Sequence, residues 1–296
     1  MVDQRSLVIT ISAVFLALGL GLLLGGTMLG EGAVVSQQRQ VIARLEGDSA
    51  RLSEENHLFG ARLVESENAL RVYREFGRKA LPRLIDGRLA GRTVAIVSLD
   101  SDAIIDQAVA AIRQAGADIL SVTTLTDGFD LRPADRRSAA TDYLELTGAS
   151  QDQLVGRLVD ALATAVIGSS ATGSATAGPD LAFLEDAGLI HRAGRYDRRP
   201  AVVLVVGGDH GGERNTALVD DRLLAAFTAE GVRVVLAERS DSRVSTIVVG
   251  QKRGVPTIDN LDTAPGQAAL VYALAGETGD FGQKATAREV VPELGR

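Results

Sequence analysis

The sequence predicts an α/β protein with an N-terminal transmembrane helix, a coiled-coil helix, and a mostly parallel, Rossmann-like sheet with helices on both faces. Three observations predict it: an uncharged run extends from Leu7 to Leu29, a heptad pattern of apolar residues follows, and strand and helix patterns alternate after Pro82. We therefore divide the chain into a transmembrane anchor at residues 1–31, a coiled-coil stalk at 32–82 and an extracytoplasmic α/β domain at 83–296.

The uncharged run is long enough to cross a bilayer. At ~1.5 Å per residue it reaches roughly 34 Å as a helix, which exceeds the ~30 Å hydrocarbon core. A cleaved signal peptide is the alternative, but its apolar region is shorter, and the charge of Glu31 makes a poor cleavage site. Arg5 precedes the run and Arg39 is the first basic residue after it, so the positive-inside rule places the N-terminus in the cytoplasm.

The segment behind the anchor has the pattern of a coiled coil. With Val35 at position a of the heptad, most a and d positions up to Tyr73 are apolar, and the remaining positions are mainly polar. The predicted dimer interface consists of Leu45, Leu52, Asn56, Phe59, Leu63 and Leu70.

The polar residues of the stalk favour a parallel homodimer. Asn56 at an a position pairs best with its own copy and so fixes register and strand number. Arg62 at g is within reach of Glu67 at e of a partner. The alternative is a single amphipathic helix that packs on the globular domain of its own chain.

Charge and cysteine content narrow the classes of partner. Residues 1–80 carry equal numbers of acidic and basic side chains, so the net charge of −7 resides on the rest of the chain. An acidic domain argues against nucleic acid and anionic lipid headgroups as partners. The sequence contains no cysteine, so the core of the extracytoplasmic domain holds together without disulfides.

The domain begins with two related β-α-β patterns. Thr93–Leu99 and Ile119–Thr123 read as strands around a helix at Ile104–Gln114. Ala201–Val206 and Val232–Ala237 read as strands around a helix at Ala217–Ala229. Their continuous Val, Ile and Leu runs indicate parallel strands that are buried on both faces.

Three further segments complete this reading of the domain. A smaller unit follows at Ser245–Asp259, and the apolar spacing of Gln151–Ile167 predicts another helix. The Gly, Ser and Ala tract at 168–178 reads as a flexible exposed loop.

The turns after the first strand of each unit are the best places for a ligand. In an α/β fold, ligands bind at the carboxyl edge of the sheet. Asp209 and His210 lie in the glycine-rich turn 207–213, and Asp100 lies in the matching turn. The alternatives are a tight turn that glycine permits and, for Asp102, a helix N-cap.

The sequence predicts neither an enzyme nor a resident cofactor or metal. It offers two methionines and three histidines, and none of the histidines lies at ligand spacing from another. A nucleophile elbow and a Walker lysine are both missing from the sequence. An enzyme or nucleotide-binding module is retained as the third hypothesis for the domain.

The C-terminal tract suggests a closing element of the sheet. Ile258 ends a strand, Asp259 and Asn260 suit a turn, and Gln267–Leu274 reads as a helix that packs on the sheet. The alternative is a protein-binding surface near Asp259, Asn260 and Phe281.

The same tract carries a family resemblance. The stretch from Val255 to Leu294 reads VPTIDNLDTAPGQAALVYALAGETGDFGQKATAREVVPEL. Together with the opening SAVFLALGLGLLLG, it resembles the actinobacterial MctB family of copper transport proteins, in which we include SteB-like envelope proteins. The resemblance spans anchor, stalk, domain and C-terminal signature, and it brings no catalytic residues with it.

The resemblance implies a membrane location and a role in copper efflux or resistance. A pore needs several spanning helices or a closed barrel, whereas this sequence has a single predicted span. The first functional hypothesis is therefore a non-enzymatic, single-pass envelope protein of the copper-transport type. The second is a dimeric scaffold that recruits or restrains a cell-wall hydrolase, or acts in cell division, through an envelope protein partner.

Overall fold

The computed structural model describes residues 4–28, 31–99, 104–168, 177–207 and 216–293. The chain divides into two compact units, Met1–Arg71 and Val72–Arg296. The first unit contains helix α1 (Gln4–Met28) and most of the long helix α2 (Glu31–Ile85).

Helix α1 is a candidate membrane span. In the part of the chain that the structure describes, one helix is long and apolar enough to cross a bilayer, over Arg5–Gly25, and none of that window is buried within the protein. Large side chains such as Phe15, at 70% exposure, lie uncovered on its surface. A helix that is apolar all round and uncovered by protein fits a lipid environment.

Helix α2 extends beyond the heptad pattern that predicted it, and Pro82 lies inside its last turn. The apolar residues of the predicted seam are all exposed, as is Asn56. Their exposure is 63% for Leu45, 54% for Leu52, 63% for Phe59, 60% for Leu63 and 51% for Leu70. The helix therefore presents an uncovered apolar seam, and the homodimer stays a prediction.

The second unit is built on a seven-stranded sheet. Its spatial order is β3-β2-β1-β4-β5-β6-β7, and all neighbouring strands are parallel except β2 and β3. The strands are β1 (Thr93–Ser98), β2 (Asp118–Leu125), β3 (Ile190–Gly194), β4 (Val202–Val206), β5 (Arg233–Ala237), β6 (Thr257–Ile258) and β7 (Asp280–Phe281).

Helices cover both faces of this sheet. They are α3 (Ile104–Gln114), α4 (Ala134–Leu144), α5 (Gln151–Ile167), α6 (Ala177–Asp186), α7 (Thr216–Ala229), α8 (Ile247–Lys252) and α9 (Ala264–Ala275), with a 3₁₀ helix at Asp127–Asp130. Strand β1 shows the two layers directly. Val94 and Ile96 belong to one apolar core with residues of α3 and α9, whereas Ala95 and Val97 belong to another with residues of α5 and α7. The predicted fold class is confirmed.

Local signals set several helix ends. Helix α5 begins at a capping box, in which Ser150 and Gln153 bond each other's backbone amides. Helix α9 begins at Thr263, whose hydroxyl accepts from the Gly266 N–H at 3.1 Å. The chain turns after α3 at Gly116, which has φ +89°.

Strand β3 is the main feature that the sequence reading did not predict. It pairs antiparallel with β2, from Leu125↔Ile190 to Ser121↔Gly194. Four of its five residues are exposed, so it lacks the apolar alternation that identifies a strand. The predicted flexible loop 168–178 lies mostly outside the described residues, and α6 begins at Ala177.

Candidate functional site at the carboxyl edge of the sheet

The strand order reverses between β1 and β4, which is where α/β sheets bind ligands. These two strands are parallel neighbours, and Ser98 pairs with Val206 at their carboxyl ends. The turns that follow them therefore start side by side, as predicted. Asp100, Asp209 and His210, the predicted ligand residues, themselves lie outside the described part of the chain.

Gly207, the last described residue after β4, allows a close approach of another loop. A Cβ at this position would lie 2.1 Å from the Thr246 hydroxyl oxygen, which is closer than atoms tolerate. The Gly207 N–H donates to the Ala237 carbonyl at 2.8 Å. The first glycine of the predicted turn thus serves packing between β4, β5 and the loop before α8.

Glu238, directly after β5, is the centre of a buried polar cluster. Its side chain has no exposed surface. Its Oε1 accepts from the Ser245 hydroxyl at 2.8 Å and from the Lys284 ammonium at 2.5 Å. Its Oε2 accepts from the Thr246 N–H at 2.8 Å and from the Thr246 hydroxyl at 3.3 Å. A buried carboxylate is tolerated when a cation and several donors compensate for lost water, as they do here.

Asp259, directly after β6, holds the same C-terminal segment through its backbone. Its two carboxylate oxygens accept from the N–H groups of Gln283 and Lys284 at 2.8 and 2.9 Å. A Cβ on Gly282 would lie 1.9 Å from Asp259 Oδ1. Glycine is required there, both by this contact and by its φ of +145°.

Asn260 and Phe281 are buried beside this cluster. Their exposed fractions are 2% and 3%, and that of Asp259 is 1%. The backbone carbonyl of Asn260 accepts hydrogen bonds from the Thr263 N–H at 2.9 Å and from the Thr263 hydroxyl at 2.8 Å. These three side chains therefore close the C-terminal part of the sheet. A protein-binding surface near them would have to be formed by neighbouring residues.

The sequence reading missed Glu238 and Lys284, although one signal was available. A glutamate directly follows the apolar strand Arg233–Ala237, which is almost fully buried. Glutamate is seldom buried unless a cation pairs with it, so this position indicates an ion pair. Nothing local in the sequence identifies Lys284 as that cation, because the two residues belong to different segments of the domain.

Chemically, the cluster acts as a structural lock. Each oxygen of Glu238 already accepts hydrogen bonds from protein donors, and the oxygens of Asp259 accept backbone amides. Across the residues that the structure describes, no group of three or more His, Asp or Glu side chains lies close enough together to hold a metal ion. The arrangement joins the end of β5, the loop before α8 and the C-terminal segment.

Arginines gather at the opposite edge, where the parallel strands begin. Arg92 donates to the Ala275 carbonyl at 2.8 Å, and Arg233 donates to the Ala273 carbonyl at 3.1 Å. Both bonds neutralise the carboxyl end of α9, where the helix dipole is negative. Burial, with a smaller contribution from the charge of Arg92, lowers the pKa of Arg233.

A comparison with known protein families identifies the family of this chain. A family model described as "Copper transport outer membrane protein, MctB" matches residues 1–292. The chain belongs to the MctB family. The match covers the apolar helix, the long helix and the α/β domain together, so the resemblance predicted from both ends of the sequence is confirmed.

Curated relatives agree with this family. Proteins named "Copper transporter MctB" from Mycobacterium tuberculosis and Mycobacterium bovis are 25% identical to this chain over 319 aligned residues. The alignment covers 95% of this chain and 96% of each relative. This member of the MctB family therefore matches them over nearly their whole length.

Proposed function

We propose that this chain is a single-pass, membrane-anchored envelope protein that supports copper efflux or homeostasis without catalysing a reaction. The family match over residues 1–292 carries the proposal, because it includes the apolar helix as well as the domain. The relatives are named copper transporters, and we therefore propose copper as the cargo. Copper is here the substance handled, not a resident cofactor.

The arrangement of charge supports an extracytoplasmic domain. Arg5 lies at the start of the apolar window, and α2 begins with an acidic residue, Glu31. We therefore place the N-terminus in the cytoplasm and residues 32–296 outside the membrane.

Direct passage of copper through this chain alone has little physical support. A transmembrane pore needs a closed barrel or several helices, and the described residues contain one candidate span. The sequence has no cysteine, and its two methionines are Met1 and Met28. Soft ligands for Cu(I) are therefore nearly absent. An indirect effect on copper handling, through assembly in the envelope, fits these residues better.

A second candidate function rests on the exposed seam of α2. We infer that two chains pair through Leu45, Leu52, Asn56, Phe59, Leu63 and Leu70, and that the paired stalks act as a scaffold for an envelope protein partner in cell-wall hydrolysis or cell division. Apolar residues at more than 50% exposure along one seam require a covering surface, and the heptad pattern provides one in a second copy.

Copper tolerance and copper binding together separate the two functions. In a strain that lacks the protein, we expect the minimal inhibitory copper concentration to fall and to recover on complementation. Copper measured by mass spectrometry on the full-length protein in detergent then discriminates. Stoichiometric copper supports direct transport, and sensitivity without bound copper supports the scaffold. Unchanged copper tolerance would overturn the copper role.

A further inference from the structure

The two edges of the sheet are finished in different ways. Beyond β7, the C-terminal segment forms a bridge between Phe281 and Glu289, and the Gly282 N–H donates to the Glu289 carbonyl at 2.9 Å. At the other edge, β3 is the outermost strand, and its residues His191–Gly194 are exposed. One edge is therefore covered by the chain itself, whereas among the described residues no strand pairs with the outer side of β3.

The register of β3 shows which backbone groups face outward. The Arg195 N–H donates to the Leu120 carbonyl at 2.6 Å, and the pairing continues with Ala193 opposite Val122. In an antiparallel pair, alternate residues turn their N–H and C=O groups towards the neighbouring strand. Those of Arg192 and Gly194 therefore point away from β2, towards the open edge.

The side chains of this edge are basic, in a chain with a net charge of −7. Within residues 191–199, four arginines accompany a single aspartate. Arg195 and Arg198 share one carboxylate, Asp118, at 3.1 Å each, and they remain 58% and 53% exposed. Arg192 pairs with Glu185 at 2.7 Å. Against the four arginines of residues 191–199 stand three carboxylates, Asp118, Asp197 and Glu185, so one positive charge remains at the end of β3.

We propose that β3 is a docking edge for an extended acidic segment of a partner protein, which adds to the sheet as a further strand. Backbone hydrogen bonds to Arg192 and Gly194 would hold the segment, and the arginines would select acidic side chains. A second copy of this chain is the poorer occupant, because pairing β3 with itself brings like charges together. The inference is independent of the copper role and of the stalk dimer.

A short acidic peptide tests the proposal on the full-length protein in detergent. The probe is a fluorescein-labelled peptide with three repeats of Glu-Val, which forms strands readily. A peptide with three repeats of Glu-Pro has the same charge but cannot complete a strand ladder. We expect the Glu-Val peptide to raise fluorescence anisotropy saturably and the Glu-Pro peptide to bind at least tenfold more weakly. Equal binding of the two would mean charge attraction alone and would overturn the proposal.

Charge reversal identifies the edge. The double change Arg192→Glu and Arg195→Glu should weaken binding of the Glu-Val peptide about tenfold or more. The same variant should bind a Lys-Val peptide, which the wild type should not bind. Arg113→Glu with Arg157→Glu makes the same change in net charge on exposed parts of α3 and α5 and should have a much smaller effect. If both pairs behave alike, the peptide does not dock at β3.

Hydrogen exchange reads the backbone contact directly. On peptide binding, the amides of Arg192 and Gly194 should exchange several-fold more slowly, whereas those of His191 and Ala193, which face β2, should change little. If the Glu-Val peptide does not bind, or if the amides of Arg192 and Gly194 are not protected, the proposal is wrong. The arginines would then serve only to prevent association between the edges of two sheets.

Discussion

At the scale of single residues, the ion pair between the buried Glu238 and the partly buried Lys284 leads to a prediction about stability. Removing a cation from a fully buried carboxylate costs more than the pair contributes, because the remaining charge is left uncompensated. The Lys284→Met variant should lose about 3 kcal/mol of unfolding free energy. Hydrogen exchange of the segment 257–281 in a urea series measures this loss.

The matched control removes both charges. In the double variant Glu238→Gln with Lys284→Met, the amide can still meet the hydroxyls of Ser245 and Thr246, so most of the loss should be recovered. A double variant that is as unstable as Lys284→Met would show that packing of the lysine stem, not charge, dominates at this position.

Gly282 gives a second prediction at the residue scale. Its φ of +145° and the approach of Asp259 both exclude a side chain. The Gly282→Ala variant should therefore lose about 3 kcal/mol, whereas Gly254→Ala should lose only about 1 kcal/mol. Gly254 also has positive φ, at +68°, but no atom lies within 4 Å of its added Cβ. Equal losses, measured by urea denaturation, would contradict the role assigned to Asp259.

Tyr143 offers a pH-dependent signal on the surface of the domain. Its hydroxyl donates to Asp180 Oδ1 at 2.7 Å, and its ring stacks on Phe183 with 3.8 Å between centroids. The hydrogen bond to Asp180, with some burial, raises the pKa of Tyr143 to about 12. The interaction stabilises the folded state below pH ~10 and is lost as the pH rises through ~12.

The Asp180→Asn variant should lower the pKa of Tyr143 towards 10, because the negative acceptor is gone. The difference in tyrosinate absorbance near 295 nm between variant and wild type measures this change, since the protein has four tyrosines and no tryptophan. Asp135→Asn, a change at an exposed residue of α4, serves as control. A titration curve identical to that of the wild type would show that the bond is not populated in solution.

At the scale of elements, the apolar seam of the stalk helix α2 predicts the oligomeric state of the protein. In the proposed dimer, Leu52 and Leu63 lie in the seam, whereas Leu58 and Val64 lie outside it at similar exposures of 52% and 57%. Replacing Leu52 and Leu63 by Asp buries four charges in a dimer and should yield a monomer. Sedimentation velocity of the full-length protein in detergent measures the change.

The matched variant Leu58→Asp with Val64→Asp should leave the dimer intact, because these positions face solvent in the heptad register. If both double variants sediment like the wild type, or the wild type is itself a monomer, the homodimer is wrong. If the control variant alone dissociates, the register is misassigned.

An element could be predicted from the sequence only where its own residues form a recognisable pattern. Strands such as β4 and β5 are fully or almost fully buried, and their continuous apolar runs identified them directly. Strand β3 exposes four of five residues, and β7 has two residues, so neither leaves a pattern in the sequence. The same limit applies to the cluster, because the contact of Lys284 with Glu238 depends on the tertiary fold.

At the scale of the whole molecule, the described parts fit a protein in contact with two solvents, lipid around the apolar window of α1 and water around the α/β domain. The apolar window Arg5–Gly25 is uncovered, whereas the domain buries its apolar side chains in two layers around the sheet. A chain of this kind should resist extraction of membranes by carbonate and require detergent. Release of the intact chain by carbonate alone would contradict the anchor.

Orientation is the last prediction, and the absence of native cysteine makes it accessible. Single-cysteine variants Gln4→Cys, at the start of α1, and Gln114→Cys, at the exposed end of α3, are labelled in spheroplasts with a membrane-impermeant maleimide. In the proposed orientation, with the N-terminus in the cytoplasm, Gln114→Cys should react at once and Gln4→Cys only after lysis. The reverse pattern would place the domain inside the cell, where the proposed envelope role could not operate.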